Sequence, residues 1–282
     1  MSGAFPQTAP RSPTASADSF VLTLWTDDPE QARRADAAGV ERIGVDLERL
    51  GKHERQRGLG TWISPHTIAD AARVGESLDR AELFARVDPL NPSSEAQVDT
   101  LLACGTGVLM LPMVMHVEEA EAFADLVAGR ARIVLLVEHI DALRRVRELA
   151  SVDGVDEIHV GLNDLALSLG VPNRWLALAG DLALDAGRAV RETGKRFGLG
   201  AIGLAGDTAL PVPADLVYAE YARTGATAAL LSRSFFARGD RDLAYEIRCA
   251  RQTLADWASR PAHDLAAAHA ELGRCAARAD CF

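Results

Sequence analysis

The chain alternates short apolar segments with amphipathic segments from residue 19 onward, and no other feature constrains its fold as strongly. Helical patterns such as DPEQARRADAAG and EEAEAFADLVAG separate segments with the apolar composition of buried strands. The predicted strands are residues 20–25, 42–48, 83–87, 107–112, 133–138, 157–161, 196–202 and 227–232. Eight strand–helix units in about 240 residues predict an α/β fold of the (β/α)8 TIM-barrel type, which usually takes about 250 residues. A doubly wound open sheet is the alternative, because it uses the same alternation.

The two ends of the chain lie outside this repeating pattern. Residues 1–18 are rich in Pro, Ser, Thr and Ala and predict a disordered tail, residues 19–260 the catalytic barrel, and residues 261–282 a C-terminal helical extension. The extension has apolar residues at three- or four-residue spacing, which is typical of an amphipathic helix: Leu265, Ala268, Leu272 and Cys275. This stripe either covers a neighbouring subunit or packs on the chain's own barrel. We expect a homo-oligomer.

The composition bears on the partners of the protein. The formal net charge is −10, whereas nucleic-acid binding needs clustered positive charge. No apolar run approaches the roughly 18 residues that a membrane span requires. We therefore expect neither nucleic acid nor a membrane as a partner. The four cysteines show no CxxC spacing, and we expect reduced thiols in a cytoplasmic protein.

Ionisable residues fall at the carboxyl ends of several predicted strands. Side chains of a barrel strand alternate between the interior and the helix layer, so Asp46 and Glu48 are predicted to point inward from the second strand. The same alternation places Arg86 on the face of the third strand that carries Phe84. It places Glu138 at the end of the fifth strand, in line with Val134 and Leu136. Barrel active sites are built at this end of the strands, and isolated charges there would be costly to bury.

Glu138 and Asp164 form the best candidate for a metal site. Asp164 follows the sixth strand in VGLNDLALSLG, and adjacent parallel strands lie about 4.8 Å apart. Two carboxylates with waters and substrate oxygens suit a hard divalent ion such as Mg²⁺, or alternatively Mn²⁺ or Co²⁺. The metal would act as a Lewis acid on a chelated carbonyl, and Arg86 would stabilise the enolate oxygen. A surface acid, a helix cap and a structural salt bridge are the alternative interpretation.

The segment VEHIDALRRVRELASVDGVDEIHVGLNDLALSLG resembles the HpcH/HpaI aldolase and citrate lyase β-subunit family, whose members are barrels of the phosphoenolpyruvate/pyruvate type. In that family a Glu at a strand end and an Asp in a Gly-x-x-Asp-Leu turn bind the divalent metal. The resemblance assigns these roles to Glu138 and Asp164, which are 26 residues apart. GVERIGVDLE, FARVDPLNP and GVLMLPMV are similar to the family's second, third and fourth strands. The resemblance implies that Arg86 binds substrate, and it covers roughly residues 25 to 235.

Two positions depart from the family pattern. In the 2-oxo-acid aldolases a His follows the second-strand Glu and pairs with an Asp before the fourth strand, but here Arg49 and Ala103 stand at these places. The long segment between the fourth and fifth strands of those aldolases is also missing, which favours the citrate lyase branch. That branch commonly has an Asp where Arg49 stands. The chain therefore fits neither branch, and its acid–base group stays open.

The loop after the second strand is basic and carries Arg49, Lys52, His53, Arg55 and Arg57. It either attracts an anionic substrate, including the phosphates of coenzyme A, or is a solvated loop. His53 is the candidate replacement acid–base group, because histidine titrates near neutral pH.

The remaining candidates have supporting roles. We expect Asp46 and Glu48 to orient a metal-bound water or Arg86. The predicted substrate-binding residues are Arg86, Pro112, Gly161 and Asn163. His139 and His159 are interpreted as structural, His159 as a hydrogen-bonded histidine inside the barrel.

Three local patterns complete the prediction. Ser64-Pro65 is predicted to start a helix, with Ser as the cap and Pro at the first helical position. GLGAIG, a literal GxGxxG, falls within the seventh strand rather than in a strand-to-helix turn, so it does not indicate dinucleotide binding. The only lysines are Lys195, before strand seven at the opposite end of the barrel, and Lys52, in a loop. Neither suits Schiff-base chemistry.

These features predict a divalent-metal-dependent carbon–carbon lyase or aldolase that acts on a 2-oxo acid or related carboxylate through a metal-stabilised enolate. The alternative enzyme is a CoA-thioester lyase or condensing enzyme, similar to citryl- or malyl-CoA lyase or citrate synthase, with an acyl-CoA as substrate. The alternative from another class is an inactive barrel with a binding or regulatory role, which the departures at Arg49 and Ala103 motivate.

Overall fold

The computed structural model describes residues 20–55, 64–236 and 242–279. Within these ranges eight parallel strands close into a barrel in the order of the sequence. They are β1 Val21–Trp25, β2 Arg42–Asp46, β3 Glu82–Arg86, β4 Val108–Leu111, β5 Arg132–Val137, β6 Val155–Val160, β7 Arg196–Ile202 and β8 Ala228–Leu231. Each lies at its predicted place, so the (β/α)8 prediction is confirmed. The doubly wound alternative is excluded, because β1 pairs with β8 as well as with β2.

Helices surround the barrel, and those in the described part of the chain are as follows. They are α1 Pro29–Ala37, α2 Lys52–Arg55, α3 Ile68–Gly75, α4 Ser94–Ala103, α5 Val117–Val127, α6 Ile140–Arg144, α7 Val146–Ala150, α8 Leu162–Leu169, α9 Arg174–Leu178, α10 Leu182–Arg191, α11 Ala214–Thr224, α12 Leu243–Ala258 and α13 Ala262–Arg278. None of these described helices combines the length and the apolar character that crossing a membrane requires.

The barrel separates two apolar cores, as alternation along the strands predicts. The large core lies between strands and helices and contains Ile43, Val45 and Leu47 of β2 and its extension. A small cluster fills the barrel interior, where Trp25 packs against five buried residues: Phe84, Val108, Met110, Val134 and Leu136. The side chains of β2 that do not face the helices therefore point into the barrel, which places Asp46 inside.

The amino-terminal end of the barrel is ionic instead of apolar. Arg42 Nη1 donates to Glu157 Oε2 over 2.7 Å, and Arg132 forms an ion pair with Glu82. A cavity of about 630 Å³ opens at this end, with Lys195 in its wall. Lys195 thus lies where the sequence predicts, at the opposite end from the strand carboxyl termini.

The glycines of GLGAIG belong to β7, as predicted. Gly198 lies against His159, and a Cβ atom at 198 would stand only 2.2 Å from Nδ1 of that histidine. His159 is buried, and its Nε2 lies 3.1 Å from the carbonyl oxygen of Gly200. The glycine at 198 therefore makes room for a hydrogen-bonded histidine inside the barrel, which is the role predicted for His159.

The predicted helix start at Ser64-Pro65 is wrong. Helix α3 begins after Thr67, whose side chain accepts a hydrogen bond from the amide of Asp70, while the Asp70 carboxylate accepts one from the amide of Thr67. This reciprocal capping box satisfies two amide groups at once, so it defines the first turn better than a lone Ser–Pro pair.

The C-terminal stripe packs on the chain's own barrel. In α13, Ala268, Leu272 and Ala276 are buried, and the helix lies against α11 and α9 of the same chain. Leu265 and Cys275 are partly buried against the same core. The interpretation that this stripe covers a neighbouring subunit is therefore wrong, and the homo-oligomer stays a prediction without this support.

Candidate metal and substrate site

The predicted strand-end residues converge at the carboxyl-terminal end of the barrel. Asp46 is the last residue of β2 and Arg86 the last of β3, and their positions pair in the sheet register. Glu138 follows β5 directly. The Gly-x-x-Asp-Leu segment is the first turn of α8, with Gly161 as its N-cap and Asp164 inside that turn. A carboxylate in the first turn is favoured by the helix dipole, which explains why a buried strand leads into an acid.

Arg86 is held in one orientation by Asp46. Its Nε and Nη2 atoms donate to the two carboxylate oxygens of Asp46, each over 2.7 Å, and Nη1 lies 3.2 Å from Glu48 Oε2. The guanidinium carbon stacks 4.3 Å from the ring centre of Trp25. Although burial opposes the charge, Asp46 and Glu48 raise the pKa of Arg86 above its ordinary value. Two-pronged pairing of this kind fixes direction as well as charge.

Two cations from α2 enter the same cluster. Lys52 is only 4% exposed, and its Nζ lies 3.2 Å from Asp46 Oδ2 and 3.0 Å from Glu48 Oε2. Arg55 Nη2 lies 2.5 Å from Glu48 Oε1, and its Nε lies 3.5 Å from Asp164 Oδ1. The prediction that Lys52 lies in a loop is wrong: it starts a short helix that turns back over the strand ends.

Arg49, which belongs to the same basic segment, makes its contacts outside the cluster. The Nη2 atom of Arg49 donates to the backbone carbonyls of Pro65 and His66, so Arg49 fastens the chain and does not replace the family's histidine. Arg57 and the side chain of His53 lie outside the described residues. The role predicted for His53 therefore stays a prediction.

Glu138 and Asp164 provide the oxygen donors that a divalent cation requires. Glu138 is buried, and burial together with the charges of Asp164 and Glu48 raises its pKa to about 8. A Cβ atom at residue 161 would lie 2.6 Å from Glu138 Oε2, so only a glycine leaves that oxygen accessible. Two mutually repelling carboxylates in a closed environment fit a hard cation. In the described residues no group of three His, Cys, Asp or Glu side chains is placed to hold a metal, so waters and substrate oxygens would have to complete the shell.

The backbone at Met113 is a part of this site that sequence reasoning missed. Its amide donates to Glu138 Oε1 over 3.2 Å, and its φ of 55° is rare for a residue with a side chain. Pro112 precedes it, buried after β4. A backbone held in this conformation points to a functional constraint. No sequence motif predicts this conformation at Met113.

The remaining predicted residues occupy the same end of the barrel. Gly161 lies beside Glu138, and Asn163 is exposed in the first turn of α8, next to Asp164. His139 caps α6 by accepting a hydrogen bond from the amide of Asp141, which agrees with its structural interpretation.

The formal charges of the cluster nearly cancel. Among the described residues the carboxylates outnumber the cations by one: Asp46, Glu48, Glu138 and Asp164 face Lys52, Arg55 and Arg86. A divalent cation would change the sum from −1 to +1. A ligand with one carboxylate would then bring it to zero.

A (β/α)8 barrel that gathers paired acids and a fixed arginine at its strand carboxyl ends belongs to the barrel proteins that bind small ligands at that end. A family model described as HpcH/HpaI aldolase/citrate lyase matches residues 66–209. The chain belongs to this family.

Known relatives resemble the chain more in fold than in sequence. The 4-hydroxy-4-methyl-2-oxoglutarate aldolase cghB of Chaetomium globosum is 32% identical over 76 residues, 27% of this chain and 28% of that protein. The match thus spans well under two thirds of the relative.

Two solved structures share the barrel. The CitE protein of Mycobacterium tuberculosis, in complex with magnesium and pyruvate, superposes with a TM-score of 0.58 at 18% identity, over 92% of this chain and 100% of that chain. An HpcH/HpaI aldolase from Desulfitobacterium hafniense gives 0.57 at 18% identity, over 86% of this chain and 95% of that chain.

Proposed function

We propose that the protein is a divalent-metal-dependent carbon–carbon lyase or aldolase that acts on a 2-oxo acid through an enolate. One observation carries the proposal: Gly161, which caps the helical turn that holds the buried Asp164, lies directly beside the carboxylate of the buried Glu138. A pair of buried carboxylates is costly without a cation. The proposed metal is Mg²⁺, with Mn²⁺ or Co²⁺ as alternatives.

Glu138 and Asp164 would hold this metal, and Gly161 keeps one oxygen of Glu138 accessible to it. When bound, the metal supplies Lewis-acid polarisation of a chelated carbonyl. The amide of Met113 fixes the carboxylate of Glu138 from the other side. Pro112 and Asn163, which flank the two acids, are the proposed substrate neighbours.

Arg86 is the residue proposed to stabilise negative charge on the substrate oxygen. Two of its N–H groups donate to Asp46, and Nη1 lies 3.2 Å from Glu48 Oε2, which leaves at least two of the five guanidinium donors for a ligand. Since Asp46 fixes the plane of the guanidinium, these donors need no reorganisation when charge develops. In this proposal Asp46 and Glu48 orient Arg86, which is one of the two roles that the sequence predicts for them.

The charge of the cluster favours a substrate with one carboxylate. With a divalent cation the formal sum is +1, which one carboxylate neutralises. The name of one relative, a CitE protein complexed with magnesium and pyruvate, contains such a monocarboxylate. The name of another, a 4-hydroxy-4-methyl-2-oxoglutarate aldolase, contains a 2-oxo acid with a second carboxylate. The class of substrate proposed here is a 2-oxo acid whose carboxylate and carbonyl oxygens reach the metal together.

Exchange of the methyl protons of pyruvate in D₂O tests the proposal, because it reports enolate formation before any second substrate is known. We expect Mg²⁺-dependent exchange, followed by ¹H NMR, that chelation abolishes. The exposed Asp141→Asn variant, which keeps Glu138 and Asp164, is expected to retain the exchange. Exchange that survives chelation would reject the metal-dependent mechanism.

Two other outcomes would select the alternative functions. Cleavage of acyl-CoA thioesters, with no exchange of free pyruvate, would select the CoA-thioester lyase. Tight binding of Mg²⁺ and pyruvate, with neither exchange nor cleavage, would select a binding or regulatory protein.

A further inference from the structure

Two buried carboxylates share one arginine. Asp46 and Glu48 both contact Arg86, and their side chains are 4% and 1% exposed. One guanidinium carries a single positive charge, whereas the two acids carry two negative charges. Leaving one buried carboxylate uncompensated is strongly unfavourable, so a second cation is required.

Two side chains of α2 supply further positive charge: Arg55 contacts Glu48, and Lys52 contacts both Asp46 and Glu48. The Nζ atom of Lys52 lies between the two acids, 3.2 Å from Asp46 Oδ2 and 3.0 Å from Glu48 Oε2. The preceding Gly51 has a φ of 71°, a left-handed conformation that turns the chain back and starts α2 over the strand ends. The short helix therefore delivers an ammonium group to the acids from the side opposite the sheet.

We propose that Lys52 is a positioning residue that keeps Asp46 and Glu48 together as carboxylates on Arg86 and so fixes the guanidinium that faces the substrate. The effect of Lys52 on substrate binding rests on the proposed function. Its effect on Asp46 and Glu48 is independent of that function. Neither the family's histidine nor its paired acid stands in this chain, and Lys52 acts instead on the arginine.

The surroundings of Glu48 explain what Lys52 does. Although burial and the charge of Asp46 oppose it, Arg86 and Lys52 lower the pKa of Glu48. The other charged groups facing this pair are Arg55 from α2, Glu138 from β5, Asp164 from α8 and His66, whose Nδ1 accepts from the amide of Asp46. Removal of Lys52, which contacts both acids, is therefore expected to raise the pKa of Glu48 and to weaken the pairing of the two acids with Arg86.

The first test needs no ligand. Lys52→Met is compared with the full-length wild-type chain by denaturant unfolding from pH 5 to 8.5. A carboxyl with a lowered pKa in the folded state stabilises above its unfolded pKa and loses this contribution as pH falls. The stability deficit of Lys52→Met is therefore expected to grow with rising pH.

Lys195→Met is the matched control, since Lys195 is the other lysine of the chain and donates to a backbone carbonyl, that of Val155. The loss of folding stability in Lys195→Met is expected to be the same at each pH. A Lys52→Met deficit that does not change with pH would overturn the proposal.

The second test measures pyruvate binding by calorimetry in saturating Mg²⁺. Binding to Lys52→Met is expected to be roughly tenfold weaker than wild-type binding at pH 6.5, since one pKa unit corresponds to a tenfold change. The difference is expected to shrink at pH 9, because a raised pKa of Glu48 matters less as pH rises. Lys52→Arg is expected to restore binding at pH 6.5.

If Lys52→Met binds pyruvate equally weakly at all pH values, Lys52 has only a structural role. If Lys52→Met binds as tightly as the wild type, Lys52 has no role in binding. Both results would overturn the proposal. If the wild type itself does not bind pyruvate, the proposed function fails, and the unfolding experiment still decides whether Lys52 holds the two acids.

Discussion

Gly161 lies so close to Glu138 that a Cβ atom at residue 161 would stand 2.6 Å from Oε2 of the carboxylate. The glycine is the N-cap of α8 and has a φ of −89°, so its backbone conformation would tolerate other residues. The requirement for glycine at this position is the space beside the carboxylate.

Gly161→Ala should therefore weaken metal binding while the protein stays folded. The methyl group has to displace Glu138, and disturbing the support of a metal ligand typically costs 10- to 100-fold in affinity. Calorimetric titration with Mg²⁺ or Mn²⁺ checks this. Gly273→Ala is the control, because its Cβ would meet only Ala179 at 3.9 Å. Equal metal affinity of both variants would contradict the placement of the metal beside Glu138.

Glu138→Gln should make the metal-free protein more stable. The pKa of Glu138 is raised to about 8, so the folded state resists ionisation that the unfolded chain accepts from about pH 4.5. Folding stability therefore falls as pH rises between these values, and glutamine removes this cost. Thermal unfolding in EDTA should show a gain that grows from pH 5 to pH 8, to on the order of 4 kcal/mol.

In saturating Mg²⁺ the order should reverse, because only the wild type is stabilised by the ligand. Asp141→Asn, at an exposed position, should show neither effect. A Glu138→Gln gain that shrinks with rising pH would contradict the raised pKa.

Arg86→Lys should retain metal binding and lose turnover. Lysine keeps the charge but cannot pair in two-pronged fashion with Asp46 or present the remaining planar donors. Pyruvate proton exchange should fall on the order of 10²-fold, the scale for removing an oxyanion-stabilising donor. Arg130→Lys, on the surface beside Asp99, is the control. Exchange within a factor of two of the wild type would show that Arg86 acts only in the fold.

Glu157→Gln should destabilise the opposite end of the barrel. Although burial raises it, the charge of Arg42 and the ring of His159, whose Nδ1 lies 3.8 Å from Glu157 Oε1, lower the pKa of Glu157 to about 2. The stabilisation is present above pH 4.5 and disappears as pH falls towards 2. At pH 7 the substitution leaves Arg42 without its partner, a loss of about 3–5 kcal/mol.

Glu192→Gln, in an exposed pair with Arg147, should cost much less, because solvent screens surface ion pairs. Denaturant titrations at pH 7 and pH 3 check both variants. A Glu157→Gln deficit as large at pH 3 as at pH 7 would contradict the ionic account of this layer.

The strands and the inward-facing acids could be predicted because both depend on local periodicity. Alternation along β2 and β3 is enough to place Asp46 and Arg86 inside, and closure of the barrel then brings Glu138 and Asp164 to the same end. The position of Lys52 could not be predicted in this way, since it depends on a turn at Gly51 that folds α2 back onto the strand ends.

The errors have related causes. Ser64-Pro65 and Thr67 compete for the same helix start, and the reciprocal bond between Thr67 and Asp70 decides the outcome. Periodicity showed that α13 has an apolar face, but not whether α11 or another subunit covers it. The left-handed backbone at Met113 could not be predicted, because methionine has no preference for a positive φ.

The apolar cluster in the middle of the barrel separates two sets of charges. Arg42 and Glu157 lie below it, Asp46 and Arg86 above it, and Phe84, Met110 and Leu136 belong to the layer between them. These side chains form an apolar layer that keeps the two sets of ion pairs apart. Substitutions at the upper end can therefore alter chemistry without weakening the lower ion pairs. A barrel with such a layer can exchange the residues of its site during evolution while the ion pairs at its amino-terminal end persist.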